Sequence, residues 1–428
     1  MIKTYDAQED LESLRVLLAS RSQLDAEEVQ RSVRSILADV RQKGDEALFS
    51  YIEALDGAKL APESLRLSQL EMQAALERID PALRAALERA AENIRTFHEK
   101  QVQTGFFDDS KPGILLGQIV RPVGSVGLYV PGGTATYPSS VLMNVIPAKV
   151  AGVSRIAMAT PPKKSGISDV IVAAAKIGGV DEIYQMGGAQ AIAAFAFGTA
   201  SVPRVDKITG PGNIYVTMAK REVYGYVGID MLAGPSEILV IADDSANPAF
   251  VAADMLSQAE HDVQAASVLV TDSKTLAQTV EKELESQLSR LPRKEIACRS
   301  LEQYGMIILV ENLQEAMELS NLIAPEHLEL AVEDPQSLLP LVEHAGSIFL
   351  GHYSPEPLGD YYAGPNHVLP TSSTARFFSP LGVYDFIKRS SVIGYDKESL
   401  QKAADDIMLL AKHEGLHAHS RSIGIRKE

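Results

Sequence analysis

The chain has 428 residues, 46% hydrophobic and 22% charged, the balance of a packed globular protein too long for one ordinary core. Its 56 acidic side chains outnumber 40 basic ones, for a formal net charge of −16. That charge repels phosphate backbones and acidic lipid, so nucleic acid and membrane are excluded as main partners, whereas a small anionic ligand needs only a local site. Cys298 is the single cysteine, which rules out an internal disulfide or a thiolate metal cage. The opening residues lack a basic segment followed by an apolar run, and no apolar stretch reaches the length of a membrane span. Both observations fit a cytoplasmic protein.

The N-terminal part reads as helical. Asp25 and Glu28 form a capping box, after which Val29, Val33, Ile36, Leu37 and Val40 recur at helical spacing up to Gly44. Ser68 and Glu71 repeat the capping signal. Asp80-Pro81 opens a longer helix with Leu83, Leu87, Ala90, Ile94 and Phe97 along it. From residue 114 the rhythm becomes strand, glycine-rich turn, helix. Strands are expected at 126–130, 156–160, 183–186 and 207–209, ending respectively in Pro131-Gly132-Gly133, Pro161-Pro162, Gly187-Gly188 and Gly210-Pro211-Gly212. A second series follows, with strands at 238–242, 268–271, 306–310 and 347–350 and a helix capped by Asn247-Pro248. A polar helical tail begins near Lys397. This alternation predicts an α/β protein with two Rossmann-like parallel-sheet domains and helical segments at both ends. Ligands of such sheets sit beyond the strands' carboxyl ends, where Tyr129, Gln190 and Asn213 lie.

Four segments carry polar chemistry. Gln258 and His261 are three apart, so they share a helix face and can converge on one ion, although alone they also fit a solvated helix end. Glu326-His327, after Ala324-Pro325, pairs a carboxylate with an imidazole that differ in direction, suiting two proton transfers rather than one dyad. The stretch 357–367 holds Asp360, Asn366 and His367 in a backbone fixed by two glycines and two prolines, more rigid polar material than a plain loop carries. The tail places Glu414 and His419 near His413 and His417, a pattern that on spacing alone fits an exposed helix end. No Gly-x-Gly-x-x-Gly follows any strand, and Pro211 removes a backbone donor that would hold pyrophosphate, so nicotinamide binding here is atypical.

Taken together, these segments resemble histidinol dehydrogenases. The run from Ile229 to His261, IDMLAGPSEILVIADDSANPAFVAADMLSQAEH, and the run GDYYAGPNHVLPT from Gly359 to Thr371 carry most of the resemblance. Residues 128–133, 187–198, 210–213, 324–328 and 414–420 add to it. The resemblance implies NAD- and zinc-dependent oxidation of L-histidinol through bound L-histidinaldehyde to L-histidine. It implies one Zn2+ per subunit on Gln258, His261, Asp360 and His419. Glu326 and His327 would be catalytic, and Tyr129, Gln190 and Asn213 would hold NAD. Ser236, His367 and Glu414 would line the substrate, together with the metal ligands and His327. It further implies an N-terminal arm (1–22), a discontinuous α/β domain (23–128 and 238–381), an NAD-binding domain (129–237) and a C-terminal dimerisation segment (382–428). Glu414 and His419 would then serve the other subunit of a homodimer. A zinc hydrolase using Glu326 as base, a dehydrogenase of a related polar alcohol and a non-catalytic metal-binding protein are the competing readings.

Overall fold

A computed structural model describes residues 2–10, 27–132, 137–163 and 166–427; the cap expected at Asp25 and the last residue of the turn expected at Pro131-Gly132-Gly133 lie outside them. Two parallel sheets organise the chain. The larger has six strands in the order β1-β11-β10-β9-β12-β13: Lys3–Asp6, Met306–Leu309, Ala266–Thr271, Glu237–Ala242, His327–Ala331 and Ser347–Leu350. The smaller has five, β6-β5-β4-β7-β8: Glu182–Gln185, Arg155–Thr160, Ser125–Tyr129, Lys207–Thr209 and Gly228–Ile229. Every pairing in both is parallel. Strands β9 and β10 are buried at every residue, as expected of apolar runs covered on both faces by helices. A third, antiparallel sheet joins β14 (Ile387–Tyr395), β3 (Ile114–Pro122) and β2 (Phe106–Asp108).

The expected helices form for the expected reasons. Helix Glu27–Lys43 buries Val33, Ile36, Leu37 and Val40, and Gly44 ends it at φ 58°. Ser68 and Glu71 make both hydrogen bonds of a capping box, the Ser68 hydroxyl accepting from the Glu71 N–H at 3.2 Å and the Glu71 carboxylate from the Ser68 N–H at 2.6 Å. Asp80 caps Pro81–Glu99, which buries Leu87, Ala90 and Ile94 while Leu83 and Phe97 stay exposed. The buried faces of these helices pack on the helices that cover the five-stranded sheet: Glu27–Lys43 on Gly188–Phe197 and Ile214–Val223, Gln69–Arg78 on Asp169–Gly178, and Pro81–Glu99 on Pro138–Ala151. Met72, Leu76, Leu87 and Ile94 share a core with Val126 and Ile156, and Val33, Leu48 and Ile52 share one with Ala157 and Ile192. By packing, residues 27–99 therefore group with 129–237.

Residues 230–236 run directly from the end of β8 to the start of β9. The carboxyl edge of the small sheet and the amino edge of the large one thus flank one short connector. Among the described residues, no helix is long and apolar enough to cross a membrane.

Candidate active site

His327 opens β12, and the turn before it sets its place. Helix Leu313–Ile323 ends at Ala324, whose φ of 52° is uncommon for a residue with a side chain, and Pro325 bars continuation. The chain then enters the sheet beside β9, where Glu326 and His327 close on the backbone of Glu237. Oε2 of Glu326 accepts from the Glu237 N–H at 2.8 Å, and Nδ1 of His327 lies 3.0 Å from the Glu237 carbonyl oxygen. A carbonyl only accepts, so Nδ1 carries the proton and Nε2 keeps its lone pair. That Nε2 is buried 3.8 Å from Oδ1 of Asp360, with no hydrogen-bond partner among the described residues. Nδ1 of His327 and Oε2 of Glu326 are 3.6 Å apart, beyond hydrogen-bond range, so the neighbours are not a dyad.

Opposite His327, ligand-type atoms of His261, Glu356 and Asp360 all lie within 4.8 Å of one another. Asp360 stands one turn after Glu356 on the helix Glu356–Tyr361, so both face the same way. The Ser257 hydroxyl donates to Oε2 of Glu356 at 3.0 Å, and the Glu356 N–H donates to Oε1 of Glu329 at 2.6 Å. Next to Ser257, Gln258 is fully buried, and neither its oxygen nor its nitrogen has a hydrogen-bond partner among the described residues. His367 donates from Nδ1 to the Asp360 carbonyl at 3.0 Å, which leaves its Nε2 unprotonated as well. A cavity of about 190 Å³ opens among His327, Phe349, Leu358, Asp360 and His367.

Burial governs the electrostatics here. It lowers His327 and His367 to about 4, so both rings are neutral near pH 7. It raises Asp360 to about 6 and, with Asp360 nearby, Glu356 to about 8. Glu326 is driven well above the ordinary carboxyl range, again chiefly by burial, with the charges of Glu237, Asp360 and Glu356 adding to the effect. A neutral imidazole and a carboxyl of raised proton affinity are the equipment of general acid–base chemistry.

The other expected residues fall into two groups. Ser236 is half-buried just before β9. Glu414 is exposed in the turn after helix Lys397–His413 and His419 on helix His417–Lys427, and within one chain the His261–Glu356–Asp360 cluster includes neither. Tyr129 ends β4, and its hydroxyl accepts from the Gly188 N–H at 3.1 Å. Gln190, fully buried, donates from Nε2 to Asp56 at 3.2 Å while its Oε1 has no partner. Asn213 caps helix Ile214–Val223 through its side-chain oxygen. These three sit at carboxyl ends of the small sheet, as the parallel-sheet rule expects. Glu326 and His327 depart from that rule, since they lie at the amino edge of the large sheet, where β9 and β12 begin.

The family model for histidinol dehydrogenase matches residues 19–427. The chain belongs to the histidinol dehydrogenase family. It is 57% identical over 401 residues to the histidinol dehydrogenase of Listeria monocytogenes serovar 1/2a, covering 94% of this chain and 93% of that one. With the histidinol dehydrogenase of Bacillus cereus it shares 56% identity over 420 residues, 98% of this chain and 97% of that one. The crystal structure of histidinol dehydrogenase from Elizabethkingia anophelis superposes with a TM-score of 0.93 at 39% identity, covering 99% and 98% of the two chains. Like these histidinol dehydrogenases, the chain is an oxidoreductase built on a mixed α/β fold. Three residues at its site had no separate signal in the sequence. Glu356 completes the ligand cluster, Glu237 acts through its backbone, and Asp56 holds the Gly187 N–H at 2.9 Å beside Gln190. Only the four-residue spacing of Glu356 and Asp360 hinted at the first.

Proposed function

We propose that this protein oxidises L-histidinol to L-histidine in two NAD-dependent steps at one zinc site, the closing reactions of histidine biosynthesis. The observation that carries the reading is the unprotonated Nε2 of His327, buried and unpartnered 3.8 Å from a carboxylate of a three-residue ligand cluster. A free base beside such a cluster suits an alcohol held for proton removal.

The donor set fits a zinc ion. Imidazole from His261, carboxylate from Asp360 and the amide oxygen of Gln258 are nitrogen and oxygen ligands of the kind zinc accepts, and the buried amide has no hydrogen-bond partner among the described residues. His419 of a second subunit would be the fourth ligand. Exposed apolar side chains near the tail, Ile393 at 75% and Leu410 at 66%, support a homodimer that covers them. When bound, zinc supplies a Lewis-acid anchor for the substrate's nitrogen atoms. NAD supplies the hydride acceptor, and the unpartnered Oε1 of Gln190, between Tyr129 and Asp56, fits a polar group of that ligand.

His327 takes the hydroxyl proton at Nε2 in the first oxidation, its Nδ1–H anchored on Glu237. Once His327 has passed that proton to solvent, Glu326 removes a proton from the water that adds to the retained aldehyde, and His327 takes a hydroxyl proton again as the second hydride leaves for NAD. Ser236, His367 and the partner subunit's Glu414 line the substrate, and the second step needs a site that holds the aldehyde in place. The test is the NADH formed per L-histidinol consumed, with and without a chelator. Two equivalents, lost on chelation and restored by zinc, are expected. One equivalent, or turnover indifferent to chelation, would overturn the scheme.

A further inference from the structure

One buried ion pair lies outside the chemistry above. Lys220, near the end of helix Ile214–Val223, is 3% exposed and pairs with Asp230, which follows β8. Both grip the same residue. Nζ of Lys220 donates to the Gly210 carbonyl at 3.0 Å, and the Gly210 N–H donates to Oδ2 of Asp230 at 2.8 Å. Gly210 has a φ of 109°, and a Cβ there would stand 2.2 Å from the Tyr129 carbonyl oxygen. The pair therefore presses the turn after β7 against the last residue of β4. Three residues later that turn delivers Asn213.

A buried ion pair is a poor source of stability, because stripping water from two charges offsets most of their attraction, and a well-packed apolar pair often serves as well. What the pair does provide is direction. It fixes both hydrogen-bonding groups of one peptide residue, on the segment that joins Tyr129 to Asn213. We propose that Lys220 and Asp230 are positioning residues of the dinucleotide subsite, holding the 210–213 turn at the height on Tyr129 that NAD requires. The assignment rests on the reading of Tyr129 and Asn213 as NAD-binding residues.

The test is the double variant K220M/D230N in the full-length protein, which removes both charges together and leaves an oxygen for the Gly210 N–H. NADH affinity is read directly from the fluorescence of the bound nucleotide, without turnover, and steady-state constants are measured beside it. A loosened turn raises the NADH Kd and the KM for NAD by about tenfold or more, while the KM for L-histidinol and kcat change by no more than about threefold. General structural damage would instead lower kcat through the active fraction and leave both KM values alone. Either that pattern or an unchanged NADH Kd overturns the clamp. If the double variant does not fold, K220R decides by the same split, since its forked head keeps the charge but misplaces the donor to Gly210. Asn213→Ala and Tyr129→Phe separate the two layers of the argument. If both leave NADH affinity unchanged, the dinucleotide subsite itself is wrong; if they weaken it and the clamp variants do not, only the clamp is.

Discussion

Gln258→Met should make the metal-free protein more stable while it weakens metal binding. The side chain is fully buried, and both of its polar atoms lack a hydrogen-bond partner. Leaving a buried polar group unsatisfied costs about 1–3 kcal/mol. Methionine is unbranched and of similar length, so it fills the same space with a refitting cost below about 1.5 kcal/mol. The chelated variant should accordingly gain roughly 1–2 kcal/mol over its parent. With saturating zinc that advantage shrinks or disappears, because the lost affinity offsets it. A metal held at 1,000 times its Kd stabilises the folded state by about 4 kcal/mol, and a site short of its amide ligand forfeits at least a tenfold share of that affinity. Urea unfolding at one protein concentration, in chelator and again in zinc, measures the first quantity. Competition against a chromophoric chelator measures the second. A chelated variant less stable than its parent would refute the claim that the amide is held for a ligand. Unaltered zinc affinity would refute the ligand role.

Two further predictions concern protons. Because burial raises Asp360 to about 6, its carboxyl is protonated in the metal-free protein below that pH, and zinc must displace the proton. Apparent zinc affinity should therefore fall about tenfold per pH unit below 6 through this group, with proton release visible by calorimetry in buffers of different ionisation enthalpy; a flat affinity between pH 5 and 6 would count against it. Glu326→Gln keeps an oxygen for the Glu237 N–H but cannot take a proton from water. NADH yield per histidinol should drop from two toward one, with aldehyde oxidation slowed about 10²–10⁴-fold and alcohol oxidation affected far less, and an equal loss of both would contradict the division of labour.

Much of this was legible in the sequence because local signals agreed with the fold. The capping residues Ser68, Asp80 and Asn247 make the expected bonds, and the apolar runs at 126–130 and 238–242 are central strands. Strand β12 was not legible. Its sequence, HLELA, alternates polar and apolar residues, the sign of a half-solvated strand, yet all five are buried. Glu329 is accommodated there because the Glu356 N–H, 27 positions later, donates to it and its carboxyl shares a hydrogen bond with Asp254. Glu356 was hidden for a related reason, since its neighbours His261 and Ser257 lie about a hundred residues earlier in the chain. Glu237 was hidden for another: its backbone, which carries no residue-specific signal, positions Glu326 and His327.

The density of the 229–261 run has a physical explanation in this geometry. Asp230 fixes the turn beside Tyr129. The Gly234 N–H donates to the Thr371 hydroxyl at 2.6 Å, tying the connector to the loop that carries His367 and follows the helix of Asp360. Through Glu237 the run receives Glu326 on its N–H and His327 on its carbonyl, and its side chain accepts from the Ser372 N–H at 3.1 Å. After β9 and one helix it ends with Gln258 and His261. Substitutions along this run would act on the 210–213 turn, the Glu326–His327 pair and the His261–Glu356–Asp360 cluster through rigid connections, with few surface positions where a change is absorbed. A one-residue insertion between Asp230 and Glu237 is the severest case. On the proposed function, it would move the carboxyl edge of one sheet, which carries Tyr129 and Asn213, relative to the amino edge of the other, which carries Glu326 and His327, and so pull the proposed dinucleotide subsite away from the proposed base.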